Sequence, residues 1–171
     1  MCTGKMLDVL AAIERELPQL LADEGAWQSL DVDYEPPRVE RLYRDIDGYR
    51  VYLHRIHPCE PGAALFHPHP WPSAVKIAAG SYEMAVGYGA GEVAPLIAAT
   101  LVLPAGATYE MVEADGWHWV RPLGGPALSL MVTGKPWERW SPKPPRELRP
   151  LSDEAKRDLL AEFRKRYDLS R

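Results

Sequence analysis

Seven short stretches of this chain alternate their side chains with a period of two, and that rhythm restricts it to a fold built on strands. They run at 49–57 (YRVYLHRIH), 74–79 (AVKIAA), 81–88 (SYEMAVGY), 98–104 (AATLVLP), 108–113 (TYEMVE), 117–123 (WHWVRPL) and 127–134 (ALSLMVTG). Gly, Pro or Asp-Gly punctuation separates them, which is the pattern of an all-β sandwich or barrel.

Two helices are expected to flank the strands. Leu7, Leu10, Ile13, Leu17, Leu20 and Leu21 recur at helical spacing within residues 5–22, with Asp8, Glu14 and Glu16 on the other face. Pro18 is expected to bend or interrupt that helix. The second helix spans Asp153–Tyr167, with Ser152 as N-cap, acids in its first turn and an apolar stripe of Leu159, Leu160 and Phe163. Between the last strand and this helix come Pro136, Pro142, Pro144, Pro145 and Pro150, too dense in proline for a strand and expected to lie extended over the barrel. At 171 residues the chain reads as one domain. It divides into an N-terminal helix within 1–24, a β-barrel over 45–134, a proline-rich segment over 135–151 and a C-terminal helix over 152–168.

Composition removes several classes of function. The formal net charge is −4, with acids and bases interspersed, which argues against binding nucleic acid or an anionic membrane surface. No apolar run approaches bilayer length, and no signal-peptide pattern is expected at the start. Cys2 and Cys59 provide no disulfide framework, so a reducing, cytoplasmic setting is expected. Gly87, Gly89 and Gly91 lack the following helix and Lys-Ser/Thr of a phosphate loop.

The chemistry concentrates at His67 and His69. Residues two apart on an extended segment point to the same side, so both imidazoles share one face. Two co-facial imidazoles make most of a metal site. The plainer reading is a pair of loop histidines wedged between Pro68, Pro70 and Pro72. Farther upstream, His54 and His57 lie three apart, so at most one of them reaches the interior. Arg55 shares parity with Val51 and Leu53, and is a candidate clamp for a substrate carboxylate or else half of an ion pair. Trp137 and Trp140 are expected to pack across the barrel surface.

The spacing of Gly62, His67, His69, Ser73 and Gly80 resembles the first motif of the cupin superfamily, G-x5-H-x-H-x(3,4)-E-x6-G. Gly62 comes one residue closer than in that pattern, and Ser73 stands where the family has Glu. Pro104-Ala105-Gly106 resembles the turn of the second motif, G-x5-P-x-G-x2-H-x3-N, with Tyr109 at the His position and Glu113 at the Asn position. The resemblance covers roughly residues 50–134. It implies an all-β cupin fold, a double-stranded β-helix or jelly-roll barrel, and says little about the reaction, because this fold hosts many activities.

A third ligand is expected from the Asp115-Gly116 pair, a strong two-residue hairpin signal. In that register Glu113 lies opposite His118, and if Tyr109 faces the interior, His118 does too. A three-residue loop would turn His118 outward. The expected metal set is therefore His67, His69 and His118, with Tyr109 or Glu113 as alternative third ligands. This set resembles the iron site of cysteine dioxygenase and related thiol or diketone dioxygenases among the cupins. The resemblance implies one divalent metal, Fe(II) ahead of Mn, Ni or Zn, and a small-molecule dioxygenase. Tyr109 and Glu113 would stand beside the metal, with Arg55 at the substrate. The alternatives are a metal-free, vestigial cupin that binds a small ligand, and a non-oxidative metal cupin acting as isomerase, lyase or hydrolase. Trp117 and Trp119 fall on the outer face of the hairpin and need cover from a helix, the proline-rich segment or a second subunit. A homodimer is the expectation.

Overall fold

Within residues 6–167, which the computed structural model describes, the alternating runs become two antiparallel sheets. The first has the order β1 (Gln28–Val32), β2 (Val39–Ile46), β3 (Tyr49–Ile56), β10 (Ala127–Thr133), β5 (Ser73–Ala79) and β8 (Thr108–Met111). The second has the order β4 (His67–Pro68), β9 (Gly116–Pro122), β6 (Ser81–Tyr88) and β7 (Ile97–Pro104). No strand pairing joins the two sheets, so the expected closed barrel is instead an open pair. The prolines explain part of this. β4 is two residues long, because Pro68 and Pro70 have no N–H to extend a ladder.

Strand parity decides which side chains meet which layer. Val51 and Leu53 of β3 and Leu128, Leu130 and Val132 of β10 pack against helices α1 (Met6–Ala22) and α2 (Asp153–Tyr167). Their neighbours Tyr52, Ile56, Ala127 and Met131 point the other way and meet Val75, Ile77, Tyr82 and Met84 between the sheets. Both faces of the first sheet are therefore buried. Truncating a fully buried leucine such as Leu17 in such a core costs about 2–5 kcal/mol.

Helix α1 runs through Pro18 to Ala22 without interruption. Ile13, Leu17 and Leu21 are all buried against the sheet, and the carbonyl of Leu20 accepts the indole N–H of Trp27 at 3.0 Å and Arg44 Nη1 at 3.2 Å. These contacts satisfy a carbonyl of the last turn, which has no partner within the helix. Helix α2 starts as expected, with Ser152 Oγ accepting the Ala155 N–H at 3.1 Å. Gly80 closes the β5–β6 turn at φ +70°, and a Cβ there would lie 2.9 Å from the Pro126 carbonyl oxygen, so only glycine fits.

The strands begin earlier than expected. β1 and β2 both begin before residue 45, and β2 (VERLYRDI) hides its alternation under four charged residues. An Asp-Gly pair, Asp47-Gly48, does make the β2–β3 hairpin, with φ of 49° and 83° and Ile46 paired to Tyr49. The other, Asp115-Gly116, makes none. β8 pairs with β5 in one sheet, while β9 pairs with β4 and β6 in the other.

Candidate metal centre

His67 and His118 are brought together by the pairing of β4 with β9, which sets them directly opposite each other. Residues opposite one another in an antiparallel pair share a face. His69 follows two residues after His67 and joins the same side. The ring centroids lie 4.9 Å apart for His67–His118, 4.2 Å for His69–His118 and 5.6 Å for His67–His69. One ring nitrogen from each lies within 4.8 Å of the others. His118 thus reaches the interior, but not by the expected hairpin. The chain turns at Glu113–Gly116, where the Gly116 N–H donates to the Glu113 carbonyl at 3.1 Å, and Gly116 does not take the positive φ that a type I′ turn demands. Glu113 accordingly does not oppose His118; it is exposed and lies off the cavity lining.

Two of the three rings are fixed through their second nitrogen. His67 Nδ1 sits 2.9 Å from the Leu65 carbonyl, so it carries the proton and leaves Nε2 with a free lone pair. His69 Nδ1 lies 3.1 Å from the hydroxyl of Ser73, which is fully buried at the position where the cupin motif has Glu. His118 Nδ1 is buried with no partner at all, which is unlike a core histidine placed for packing. Burial lowers the pKa of all three, with His69 brought down to about 3. They are neutral at physiological pH, the form in which imidazole binds metal. Three neutral nitrogen donors, two of them oriented by an outer partner, fit a divalent transition metal.

The histidines open onto a cavity of about 320 Å³ between the sheets. With Tyr82 and Val120 they form the wall that belongs to the four-stranded sheet. Arg41, His54, Val75, Tyr109, Ser129 and Met131 form the opposite wall, each from the six-stranded sheet. Ser141, Pro142, Pro144 and Leu148 of the proline-rich segment make a roof. The Tyr82 hydroxyl donates to the Tyr109 oxygen at 2.9 Å across the gap between sheets, which leaves the Tyr109 hydrogen free to be donated. Burial pushes Tyr109 up to about 12 and Tyr82 well above the ordinary tyrosine value, so both stay protonated.

Arg55 does not reach this cavity. It has the parity of Leu53, faces helix α2, and pairs with Glu40 and, at 2.9 Å, with Glu162. The interior position belongs to its neighbour His54, whose Nε2 accepts the Arg41 Nε–H at 3.0 Å. Burial, and then the charge of Arg41, hold His54 neutral. His57 points away, 3.4 Å from Glu40. Arg41 escapes a reading of the sequence because β2 carries charge on both faces. The signal was the alternation of Val39, Arg41 and Tyr43 against Glu40, Leu42 and Arg44. Trp117 is covered within the chain: its indole donates to the Gly89 carbonyl at 2.8 Å, and its ring packs on Phe66 and Trp140. Of the three expected covers, a helix, the proline-rich segment or a second subunit, the proline-rich segment supplies part for Trp117 through Trp140.

No protein-family model matches the sequence, and no curated protein matches it. Solved structures do. Hydroxypropylphosphonic acid epoxidase from S. wedmorenis superposes with a TM-score of 0.51 and 19% identity, over 64% of this chain and 56% of that one. A crystal structure of FeII HppE gives a TM-score of 0.51 and 18% identity, over 64% and 57%. This chain spans just over half the length of the solved chains it matches. At such identity the likeness is one of fold, and it supports a cupin-like architecture. Among the described residues no helix is long and apolar enough to cross a membrane. Cys59 is a free thiol, and Cys2 lies outside the described residues.

Proposed function

We propose that this chain is a metal-binding cupin of the double-stranded β-helix type, acting as a small-molecule oxygenase of the dioxygenase kind. His67, His69 and His118 would hold one divalent ion. The observation that carries this reading is the convergence of three neutral, buried imidazoles within 4.8 Å on one wall of a cavity large enough for a small organic molecule. Fe(II) is the first metal to test, because three protein ligands leave positions free and a solved neighbour in fold holds FeII. Mn, Ni or Zn would satisfy the same donors. When bound, a redox-active metal would mediate electron transfer from a closed-shell substrate, the net reductant, to dioxygen.

The chain's own groups do the rest. The Leu65 carbonyl holds His67 in one tautomer and the Ser73 hydroxyl orients the His69 ring, so both would turn their other nitrogen to where the ion would sit. Tyr109, steadied by Tyr82, offers a hydroxyl hydrogen to the guest. Val39, Ile56, Val75, Val120 and Met131 keep the space apolar. Neither Glu113 nor Arg55 has a part in this reading. A reducing cytoplasm suits both the free Cys59 and ferrous iron.

The test is metal content by mass spectrometry in the wild type and in His67→Ala, with folding checked by circular dichroism. About one iron per chain, absent from the folded variant, is expected; an oxygen-uptake screen over thiols, diketones and keto acids follows. A wild type that takes no iron, manganese, nickel or zinc would hand the cavity to the metal-free, ligand-binding alternative.

A homodimer belongs to the same proposal, now resting on β7 rather than on the tryptophans. β7 is the edge of its sheet, leaves Ile97, Leu101 and Val102 exposed, and lies in a run from Val93 to Thr108 without one charged residue. A bare apolar edge of this kind lacks the charges that keep strands from pairing, and a second copy can pair with it antiparallel. Light scattering should give a dimer that Val102→Lys converts to monomer; a wild-type monomer at micromolar concentration would end the idea.

A further inference from the structure

We infer that Arg41 anchors the acidic head of the guest, and that the cavity takes a small organic oxyanion with an apolar body. The inference deepens the proposed function and rests on it for the reaction, though not for the anchoring itself. Arg41 projects from β2 into the cavity that the three histidines line. Its Nε–H is committed to His54 at 3.0 Å, and its guanidinium carbon lies 5.0 Å from the centre of the Tyr52 ring. Both contacts fix the plane of the group and neither neutralises it.

Arg41 shares with Arg44 and Arg139 the lack of a carboxylate within 4.0 Å among the described residues, and of these three it alone lines the cavity. Arg38, Arg50, Arg55, Arg121, Arg146 and Arg164 each lie within 4.0 Å of a carboxylate, whereas Arg41 has no such partner among the described residues. The cavity lining holds one acid, Glu35, which is exposed and makes no ion pair with it. A divalent ion on three neutral histidines would add two more positive charges to the same space. A half-buried guanidinium without a counter-charge is costly, and its contacts with His54 and Tyr52 offset only part of that cost. An anionic guest does. The two Nη groups of Arg41, which have no hydrogen-bond partner among the described residues, match the two oxygens of a carboxylate or phosphonate in a bidentate pair. The apolar side chains between the two walls suit the rest of such a molecule.

The test titrates the full chain by calorimetry, iron-loaded and after chelation, with benzoate, phenylphosphonate and the neutral isostere benzamide. Wild type should bind an oxyanion in both forms and benzamide at least about tenfold more weakly. Arg41→Gln should weaken oxyanion binding on the order of 10- to 100-fold, leaving benzamide affinity and iron content unchanged. Equal binding of benzoate by Arg41→Gln and wild type, or of benzamide and benzoate by the wild type, would overturn the inference. Should Arg41→Gln not fold, Arg41→Lys decides. It keeps the charge and loses the fork, so oxyanions should bind about tenfold more weakly, and an unchanged affinity overturns the inference. The preferred probe tells carboxylate from phosphonate. A chain that binds oxyanions after chelation yet takes up no metal would sink the metal centre and leave the anchor standing. One that takes up iron but neither oxyanion would do the reverse.

Discussion

The four-stranded wall of the cavity presents three neutral imidazoles, while the six-stranded wall facing it presents a guanidinium, a fourth imidazole and two hydroxyls. The first wall draws its chemistry from β4, the residue just after it and β9, packed ring against ring. The second draws one residue from each of β2, β3, β8 and β10, and only Arg41 and His54 hydrogen bond closely. On the proposed reading, holding a metal and holding a guest fall to separate sheets, so mutation can divide them.

The largest effect should come from breaking the first wall outright. His118→Ala is expected to take metal content from about one ion per chain to none and to end oxygen uptake; a folded variant that kept its iron would mean the walls are misassigned. On the other side, Tyr109→Phe should leave the iron in place and lower kcat about 100-fold, by removing a hydroxyl hydrogen free for the guest. Iron lost along with activity would show that Tyr109 serves the metal wall instead. Ser73→Ala is subtler. It should weaken metal affinity about tenfold, read by competition with a chelator, because the His69 ring loses its outer partner. No change would reduce Ser73 to a packing residue.

The smallest effect joins the two walls. Burial holds His54 and His118 well below the ordinary histidine value of 6.5 and brings His69 to about 3. Between those values the unfolded chain binds protons that the folded chain refuses. Stability of the metal-free protein is therefore complete above pH 6.5 and declines as pH falls toward about 3. Urea midpoints that stay flat between about pH 7 and about pH 4 would contradict this neutral, dry cavity.

How much of this was legible depended on whether the signal was local. The run of β5 and β6 and the cap of α2 are written in neighbouring residues, and their bounds came out nearly as read. His67 and His69 needed only the parity of an extended segment. Pairing between strands far apart in sequence is not local, and there the reading failed instructively. Asp47-Gly48 and Asp115-Gly116 carry the same dipeptide, but only the first has strands on both sides that belong to one sheet. His118 was reached through the wrong hairpin and faces inward for another reason, its pairing with His67. Arg55 and His54 had their parities assigned correctly, yet the helices bury the face that would otherwise be outside, so parity alone could not say which side was the cavity. Glu113 fell away with the hairpin that had placed it.

The roof of the cavity has a consequence for timing. Prolines contribute no donors to a neighbouring strand, so the segment over the mouth is pinned at separate points: the Trp137 N–H to the Pro70 carbonyl at 2.7 Å, the Asp31 N–H to the Arg149 carbonyl at 2.8 Å, Arg146 to the Asp33 carboxylate at 2.7 Å, the Leu151 N–H to the Ser29 hydroxyl at 3.2 Å, and the Arg139 guanidinium to the carbonyls of Gly89, Ala114 and Gly116. None of these pins is a histidine or Arg41. A cover tied this sparsely sets how fast a molecule comes and goes while leaving how tightly it is held to the walls beneath, so residence time and affinity can be tuned independently in this protein.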